Sequence, residues 1–317
     1  MLAIAGAVAA RRWRRCRKGL EPGTPFSVGI VALAMYLRFV HAISYQRLSR
    51  LLLELFGLAI SEGALDAAFR SGKLQVDADV ASILARLRRA RVVCSDETSV
   101  RIDGRTCWNW VFQSDKVVVH VIRRSRSAGV VLDGHRPALW VSDLYGAQQG
   151  HAENWQICLA HQLRDCTYAI EAGDAVFAPR MKALLLRAVV LARRSRGLAP
   201  STRREYRRRL ECALDAVMAL APTHRNGQRL RKRYGKLRSH LFTFLDHPEV
   251  PADNNSSERE LRPTATYRKV TGGFRSDWGA DLFAGVRSVI GTAARRGMGA
   301  YHAIQQTLRG QAAPYPG

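Results

Sequence analysis

The strongest constraint on the fold is a series of four short β-type segments within residues 91–146, two of which end at an aspartate. RVVCSDETS and PALWVSDLYG are apolar until they reach Asp96 and Asp143. Between them, TCWNWVFQ and KVVVHVIRR are rich in β-branched and aromatic residues, and Ser114-Asp115 is typical of a hairpin turn. The pattern predicts a sheet whose first three strands are antiparallel.

Residues 125–137 are long enough to bring the chain back across the sheet, in part as a short helix. The fourth segment can then run parallel to the first, which places Asp96 and Asp143 at neighbouring strand ends. The segment WQICLAH, residues 155–161, is expected to add a fifth short strand. Together with the helical patterns on either side, this organisation predicts a mixed α/β fold.

Helical patterns flank the sheet. In residues 23–90, a turn at Gly57 is expected to separate two helices, with Ser61 capping the second. A helix-turn-helix and a helical hairpin that packs on the next domain both fit, and the acidic start of the second helix favours the hairpin. Residues 166–250 form an Arg-rich helical region with one helix predicted over Thr202–Leu220. Its arginines fit a DNA-facing surface and a solvated face equally well.

The charge of the chain restricts its partners. Its 317 residues include 50 Lys and Arg against 26 Asp and Glu, a formal net charge of +24. Such an excess repels itself in a compact protein, and its spread along the whole chain points to nucleic acid as the partner. An Arg-rich solvated surface is the alternative.

Six scattered cysteines without paired spacing are typical of a reducing cytoplasm. Residues 1–22 place their apolar run before their charges, opposite to a secretory signal, and are expected to be a basic tail. The apolar stretch from Val28 to Ile43 contains Arg38 and His41 and is shorter than the roughly 20 residues of a membrane span. We therefore expect a cytoplasmic protein with no membrane partner.

The segment PADNNSSEREL, residues 251–261, places two asparagines and two serines before two glutamates. Ser256 or Ser257 is expected to cap a helix here, and Pro263 to limit how far its first turn runs undisturbed. Because residues two apart point to different faces of a helix, Glu258 and Glu260 cannot both reach one site.

Three acidic residues are predicted to lie in related positions. Asp96 and Asp143 are expected at two strand ends, and Glu258 in the first turn of a helix. Hard divalent cations such as Mg²⁺ select carboxylate oxygens, and phosphodiester chemistry uses two such ions about 3.5–4 Å apart. A cap or turn is the ordinary role of a single aspartate at a strand end. Glu97 and Asp103 are rivals for Asp96, although Asp103 precedes a glycine and is typical of a turn.

Four ordered motifs, CSDET, WVSDLYG, CLAHQLRD and DNNSSERELRP followed by YRK, resemble the transposases of insertion-sequence family sixty-six. The resemblance extends from about Gly23 to the end of the chain and includes SDWGADLFAGVRSVIGTAARRGMGAY. These are bacterial DDE enzymes with a ribonuclease-H-like core. The resemblance implies such a core in residues 91–165 and 251–317. The Arg-rich helices of residues 166–250 are then a large insertion before the third acidic residue.

By this resemblance, Asp96, Asp143 and Glu258 are the catalytic residues and metal ligands of a DNA transposase. Two Mg²⁺ or Mn²⁺ ions are implied, with cleavage at the element ends and attack of the freed 3′-hydroxyls on target DNA. The implied partners are double-stranded DNA at the element ends and target, further copies of the chain on that DNA, and helper proteins. Basic residues near the site are expected to contact phosphate. They are Arg164, Arg259, Arg262, Arg268 and Lys269.

Cys158 and His161 in CLAH are spaced like half of a zinc site, but no second pair has suitable spacing, so no zinc is expected. His161 could orient DNA or a catalytic carboxylate, and a buried, hydrogen-bonded histidine is the alternative.

Two departures from the family pattern bear on activity. Family members carry an N-terminal zinc-binding and DNA-recognition region for which residues 1–22 have no room, so this copy is expected to be truncated, misannotated at its start, or a subtype. The crossover at residues 125–137 is compact, and a loss there could tilt Asp143 by about 1 Å, which can cost about 100-fold in rate. The alternatives to an active enzyme are a decayed transposase that only binds DNA and a nucleoid-type packaging protein.

Overall fold

A computed structural model describes residues 26–127 and 135–311 and shows the mixed α/β architecture that was predicted. Three helices precede the sheet: α1 (Val28–Phe39), α2 (Tyr45–Phe56) and α3 (Glu62–Leu87). The strands are β1 (Val92–Ile102), β2 (Arg105–Gln113), β3 (Val118–Arg123), β4 (Leu139–Ser142) and β5 (Asn154–Ile157). The later helices are α4 (Leu159–Glu171), α5 (Phe177–Ala192), α6 (Pro200–Met218), α7 (Arg225–Leu237), α8 (Thr243–Asp246), α9 (Asn255–Thr271), α10 (Asp277–Ala294) and α11 (Ala300–Leu308).

The first helices begin and end at the predicted signals. Ser61 caps α3 by accepting a hydrogen bond from the backbone N–H three residues further on, and Gly57 ends α2 with a left-handed φ of 65°. The second half of α3 lies on the sheet, where Ile83 and Leu87 are buried against Val93 of β1. This packing supports the helical hairpin over a helix exposed for DNA recognition.

The sheet has the strand order β3-β2-β1-β4-β5. β1, β2 and β3 are antiparallel neighbours, whereas β4 and β5 run parallel to β1. The turn after β1 has positive φ at Asp103 (47°) and Gly104 (72°), which confirms the turn role of this aspartate. The parallel pairing of β1 with β4 confirms the predicted crossover. The short helix expected within it falls largely on residues 128–134, which lie outside the described residues, as does the tail of residues 1–22.

The strand predicted for residues 155–161 is wrong in its second half. β5 ends at Ile157, Cys158 occupies the N-cap position, and α4 begins at Leu159. The Leu159 N–H donates to the Ala252 carbonyl at 2.9 Å, so a contact with a distant segment ends the strand. A short apolar run does not by itself distinguish a strand from a buried helix.

The Arg-rich helices share a hydrophobic cluster with β5 and α4. Its largest buried members include Phe177, Tyr234, Phe242 and Phe244. α6 lies within two residues of the helix predicted over Thr202–Leu220. Over residues 26–127 and 135–311, no helix is both long and apolar enough to cross a membrane.

Side chains from neighbouring elements cover both edges of the sheet. On the β3 edge, the N–H groups of Val118 and His120 donate to Thr292 Oγ1 (3.0 Å) and Ser288 Oγ (2.8 Å) of α10. On the β5 edge, Thr243 Oγ1 donates to a strand carbonyl at 2.8 Å. Since unpaired strand edges expose backbone polar groups, these contacts satisfy groups that another strand would otherwise pair with.

Candidate active site

Asp96 lies within β1, and Asp143 directly follows the neighbouring parallel strand β4. The last paired residues of the two strands are Cys94 and Val141, and extending that register by two residues brings Asp96 next to Asp143. Because strand side chains alternate between faces, both carboxylates project on the face where Cys94 and Val141 pack with Val250. The predicted proximity of the two aspartates is thus consistent with the strand pairing. The prediction that Asp96 ends its strand was wrong, because pairing with β2 continues β1 to Ile102.

Each aspartate also bonds to the local backbone. Asp143 Oδ1 accepts from the Tyr145 N–H at 3.0 Å, forming a turn that begins where β4 ends. Asp96 Oδ1 accepts from the N–H of Glu97 at 2.9 Å. One oxygen of each carboxylate is therefore held, which limits the rotation of the side chain.

Glu258 reaches this face from the first turn of α9. Asn254 fixes the start of the helix, because its Nδ2 donates to the Ser95 carbonyl beside Asp96 at 2.7 Å. Its backbone N–H donates to Cys158 Sγ at 3.1 Å, and its Oδ1 accepts from Ser257 Oγ at 2.7 Å. Burial raises the pKa of Cys158 to about 11, so this sulfur is a thiol at neutral pH.

The predicted cap of α9 was therefore displaced by two or three residues. The helix begins at Asn255, with Asn254 at the N-cap position, and Ser256 and Ser257 lie inside the first turn. Both hydroxyls accept from Gln113 Nε2 of β2, at 2.8 and 2.7 Å. Sequence reasoning missed Gln113 and the distant partners of Asn254, because they are far from α9 in the chain.

The prediction that Pro263 would disturb the helix early was wrong, since α9 continues through it to Thr271. Contacts with the sheet hold the helix on either side of the proline. They include the hydrogen bond of 2.7 Å from Asn109 Nδ2 to Thr264 Oγ1. Tertiary packing thus offsets the loss of the backbone hydrogen bond that a proline cannot form.

The electrostatics join the three carboxyl groups in one site. Burial raises the pKa of Asp96 from 3.8 to about 7, and repulsion from Asp143, Glu97 and Glu258 adds to the increase. The hydrogen bond from the Glu97 N–H acts in the opposite direction. Burial and the neighbouring acidic groups thus destabilise the charged form of Asp96. A bound cation would relieve this destabilisation.

Glu258 has an ion pair in this structure. Its Oε1 lies 2.7 Å from Arg164 Nη2 and 3.7 Å from His161 Nδ1, both on α4. The His161 side chain is 29% exposed, and its Nδ1 is buried beside Glu258 without a hydrogen-bond partner. The ring therefore lies where it can orient the Glu258 carboxylate.

The carboxylate oxygens of Asp96, Asp143 and Glu258 are the type of ligand that divalent cations such as Mg²⁺ or Mn²⁺ prefer. Within the described part of the chain, no three acidic, histidine or cysteine side chains are arranged to hold a metal ion. The pairing of Glu258 with Arg164 accounts for this, since it directs one of the three carboxylates to a guanidinium.

Glu97 has partners of its own and does not compete with Asp96. It lies on the opposite face of β1, where it accepts from Arg126 Nη2 and Gln148 Nε2, each at 2.8 Å. The Arg126 guanidinium is stacked 3.6 Å from the ring centroid of Tyr145. This network ties β1 to the loop that follows Asp143.

Glu260 serves a different site from Glu258, as their spacing predicted. Its Oε1 lies 3.5 Å from Arg295 Nη1, and its Oε2 lies 3.8 Å from Arg287 Nη2 and 3.9 Å from His120 Nε2. This buried charge cluster joins α9 to α10 and β3.

The basic candidates of α9 have different surroundings. Arg259, Arg262 and Lys269 are exposed, and the last two follow Glu258 at i+4 and i+11 and so share its face of the helix. Arg268 is half-buried and donates to the Ser99 carbonyl at 2.5 Å and to Ser99 Oγ at 2.9 Å, which fastens α9 to β1.

Comparison with known proteins adds independent information about ancestry. The model of the family described as "Transposase IS66 family" matches residues 23–282, most of the 317-residue chain. Among curated proteins, no significant match was found. The span of the family match includes all three acidic residues of the site. The chain therefore belongs to the IS66 transposase family.

Proposed function

We propose that this protein is a metal-dependent DNA transposase of the DDE type, in which Asp96, Asp143 and Glu258 form the catalytic triad. The observation that carries the proposal is the convergence of the three carboxyl groups. Asp96 lies on β1 and Asp143 directly follows β4, its parallel neighbour, and both Asp143 and Glu258 are near enough to raise the pKa of Asp96. Repulsion between carboxylates lowers the stability of a protein unless a cation compensates for it.

The topology supports a ribonuclease-H-like core. Three antiparallel strands followed by two parallel ones, with the acidic residues on the central pair and on a helix covering one face, supply the scaffold that such a core needs. The family membership supports the same conclusion. On this reading, the Arg-rich helices between β5 and α9 are the insertion that precedes the third acidic residue.

In the proposed site, Asp96 and Asp143 would hold one divalent cation and Glu258 would help to hold a second. When bound, such ions stabilise negative charge on the attacking and leaving oxygens of the phosphodiester. The protein's own contribution is rigid placement. Two carboxylates are fixed by strands and the third by a helix whose first turn is hydrogen-bonded to β1 and β2. Arg262 and Lys269 are the exposed cations of α9 suited to contact phosphate beside the cut strand.

The test is strand cleavage of a labelled element end in Mg²⁺ or Mn²⁺ by the wild type and by Asp96→Asn, Asp143→Asn and Glu258→Gln. We expect each variant to lose cleavage while DNA affinity stays within a few-fold of wild type. Asp103→Asn is the matched control, since it removes an exposed carboxylate of the turn after β1 that lies outside the site. Normal cleavage by any triad variant would show that its residue is not catalytic.

One observation favours the second candidate function, a transposase that only binds DNA. The Arg164 guanidinium already neutralises Glu258, the third carboxylate of the site. If wild-type protein binds the element end but cleaves nothing across a titration of Mg²⁺ and Mn²⁺, the DNA-binding function is the better description. An Arg164→Gln variant that acquires cleavage would attribute the inactivity to this ion pair.

A further inference from the structure

The Arg-rich helices differ in how their charges are compensated. On α6, carboxylates pair with the cations: Glu205 lies 2.9 Å from Arg208 and 2.7 Å from Arg209. Glu211 lies 3.3 Å from Arg207 on the same helix. Much of the positive charge of α6 is therefore neutralised within the protein.

α7 presents the opposite arrangement. Arg225, Arg229, Lys232 and Lys236 are exposed and follow one another at i, i+4, i+7 and i+11, so they form a single line along one face. We call these four residues the α7 stripe. Within residues 26–127 and 135–311, none of the four has a carboxylate within ion-pair distance. Over this helix the stripe spans about 16 Å, given a rise of 1.5 Å per residue.

When nothing is bound, the α7 stripe lowers the stability of its helix. Like charges at i, i+4 repel, and Arg225 stands in the first turn, where the helix dipole disfavours a cation. The buried face of the helix, Leu230 and Tyr234, already supplies its packing. Repulsion along the stripe is relieved when a polyanion lies against it.

The stripe adjoins the candidate active site. α7 packs beside α4, where Arg233 forms an ion pair with Asp165. On α4, Arg164 contacts Glu258, and Tyr168, one turn further on, is 66% exposed. Tyr168 and Arg229 line the same surface depression. A surface of exposed cations and one aromatic ring therefore runs from the third carboxylate to the stripe.

We propose that the α7 stripe binds the phosphate backbone of double-stranded DNA next to the cleavage site, and that α6 does not contribute to this contact. The proposal rests on the proposed function for its ligand, DNA, but not on catalysis. Side chains spaced along one helix face and not held in ion pairs fit consecutive phosphates of a duplex and carry no base recognition. Asp165, the acidic residue that shares the depression with Arg229, is paired with Arg233.

The experiment compares two double variants with the same change in charge. Arg229→Gln/Lys232→Gln removes two stripe residues, and Arg208→Gln/Arg209→Gln removes two exposed, ion-paired arginines of α6. Both are made in an Asp96→Asn background so that cleavage does not interfere. Affinity for a fluorescent duplex is measured by anisotropy between 50 and 300 mM salt, and thermal unfolding verifies that each variant is folded.

Each phosphate contact contributes about 0.9 to the slope of log affinity against log salt. We expect the stripe variant to lower this slope by about 1.8 and to bind roughly 10-fold to 100-fold more weakly at 0.1 M salt. The α6 variant should keep the wild-type slope. An unchanged slope in the stripe variant, or an equal change in both variants, would overturn the proposal.

The experiments distinguish a wrong proposal about the α7 stripe from a wrong proposed function. The triad test measures cleavage, whereas the stripe test measures binding by a protein that cannot cleave. A stripe variant with a reduced slope supports the proposal even if the wild type proves inactive.

Discussion

Replacing Asp96 by asparagine is expected to stabilise the metal-free protein at pH 8 while abolishing cleavage. The side chain is largely buried, and its pKa is raised from 3.8 to about 7. A folded-state pKa above the unfolded value means that its contribution to stability is fully present below pH 3.8 and is lost as the pH rises through 7. The full shift corresponds to about 4 kcal/mol.

Asparagine is neutral at every pH and can still accept the hydrogen bond from the Glu97 N–H. The variant should therefore differ from wild type by less than about 1 kcal/mol at pH 4 and be more stable by about 2–4 kcal/mol at pH 8. Urea unfolding followed by tryptophan fluorescence at several pH values gives both free energies. Added Mg²⁺ should stabilise the wild type at pH 8 more than the variant, because it supplies the charge that the site lacks.

Asp103→Asn is the control, because it removes an exposed carboxylate at a position whose φ of 47° suits asparagine. We expect a change of less than about 0.5 kcal/mol. If Asp96→Asn is no more stable than wild type at pH 8, or gains as much at pH 4, then a charge at position 96 does not destabilise the folded protein and the reasoning is refuted.

Three further substitutions test the scaffold. Asn254→Ala should destabilise the protein by about 1–3 kcal/mol in urea and slow single-turnover cleavage with little loss of DNA affinity, because it releases the start of α9 from β1. Glu260→Gln should cost about 3 kcal/mol at pH 7, where it leaves the buried arginines of α10 uncompensated. Its folded pKa is lowered, so the deficit relative to wild type should shrink as acid protonates the native carboxylate. Gly273→Ala should lower the melting temperature more than Gly272→Ala. Both have positive φ, but only at Gly273 would the new Cβ lie 2.6 Å from a backbone carbonyl.

The features predicted correctly from the sequence are those determined by interactions between residues close together in the chain. The end of β4 just before Asp143, the turn at Asp103 and the cap at Ser61 follow from alternation, turn chemistry and capping, and the structure contains each of them. The strand predicted to end at Asp96 instead continues to Ile102, because β2 pairs with it from Cys94 onward. The separation of Glu258 from Glu260 follows from helix geometry alone. The aspartates could be placed side by side because a parallel crossover leaves few other arrangements.

The errors occur where a distant segment decides the local structure. The strand predicted through His161 ends at Ile157, where Ala252 binds the start of α4. The start of α9 is determined by Gln113, which a reading of residues 251–261 does not include. Charge pairing within a helix, by contrast, can be read from the sequence. Glu205 and Glu211 stand three or four residues from arginines of α6, whereas α7 contains no acidic residue.

The covered edges of the sheet determine how copies of this protein can meet. On the β3 edge Ser288 and Thr292 accept from two backbone N–H groups, and on the β5 edge Thr243 donates to one carbonyl, so fewer groups are left to pair with a sixth strand. We therefore expect that two copies would not extend the sheet edge to edge. Any assembly of copies on DNA would then use helices and loops. Amide hydrogens of β3 and β5 should then exchange with solvent at the same rates before and after assembly.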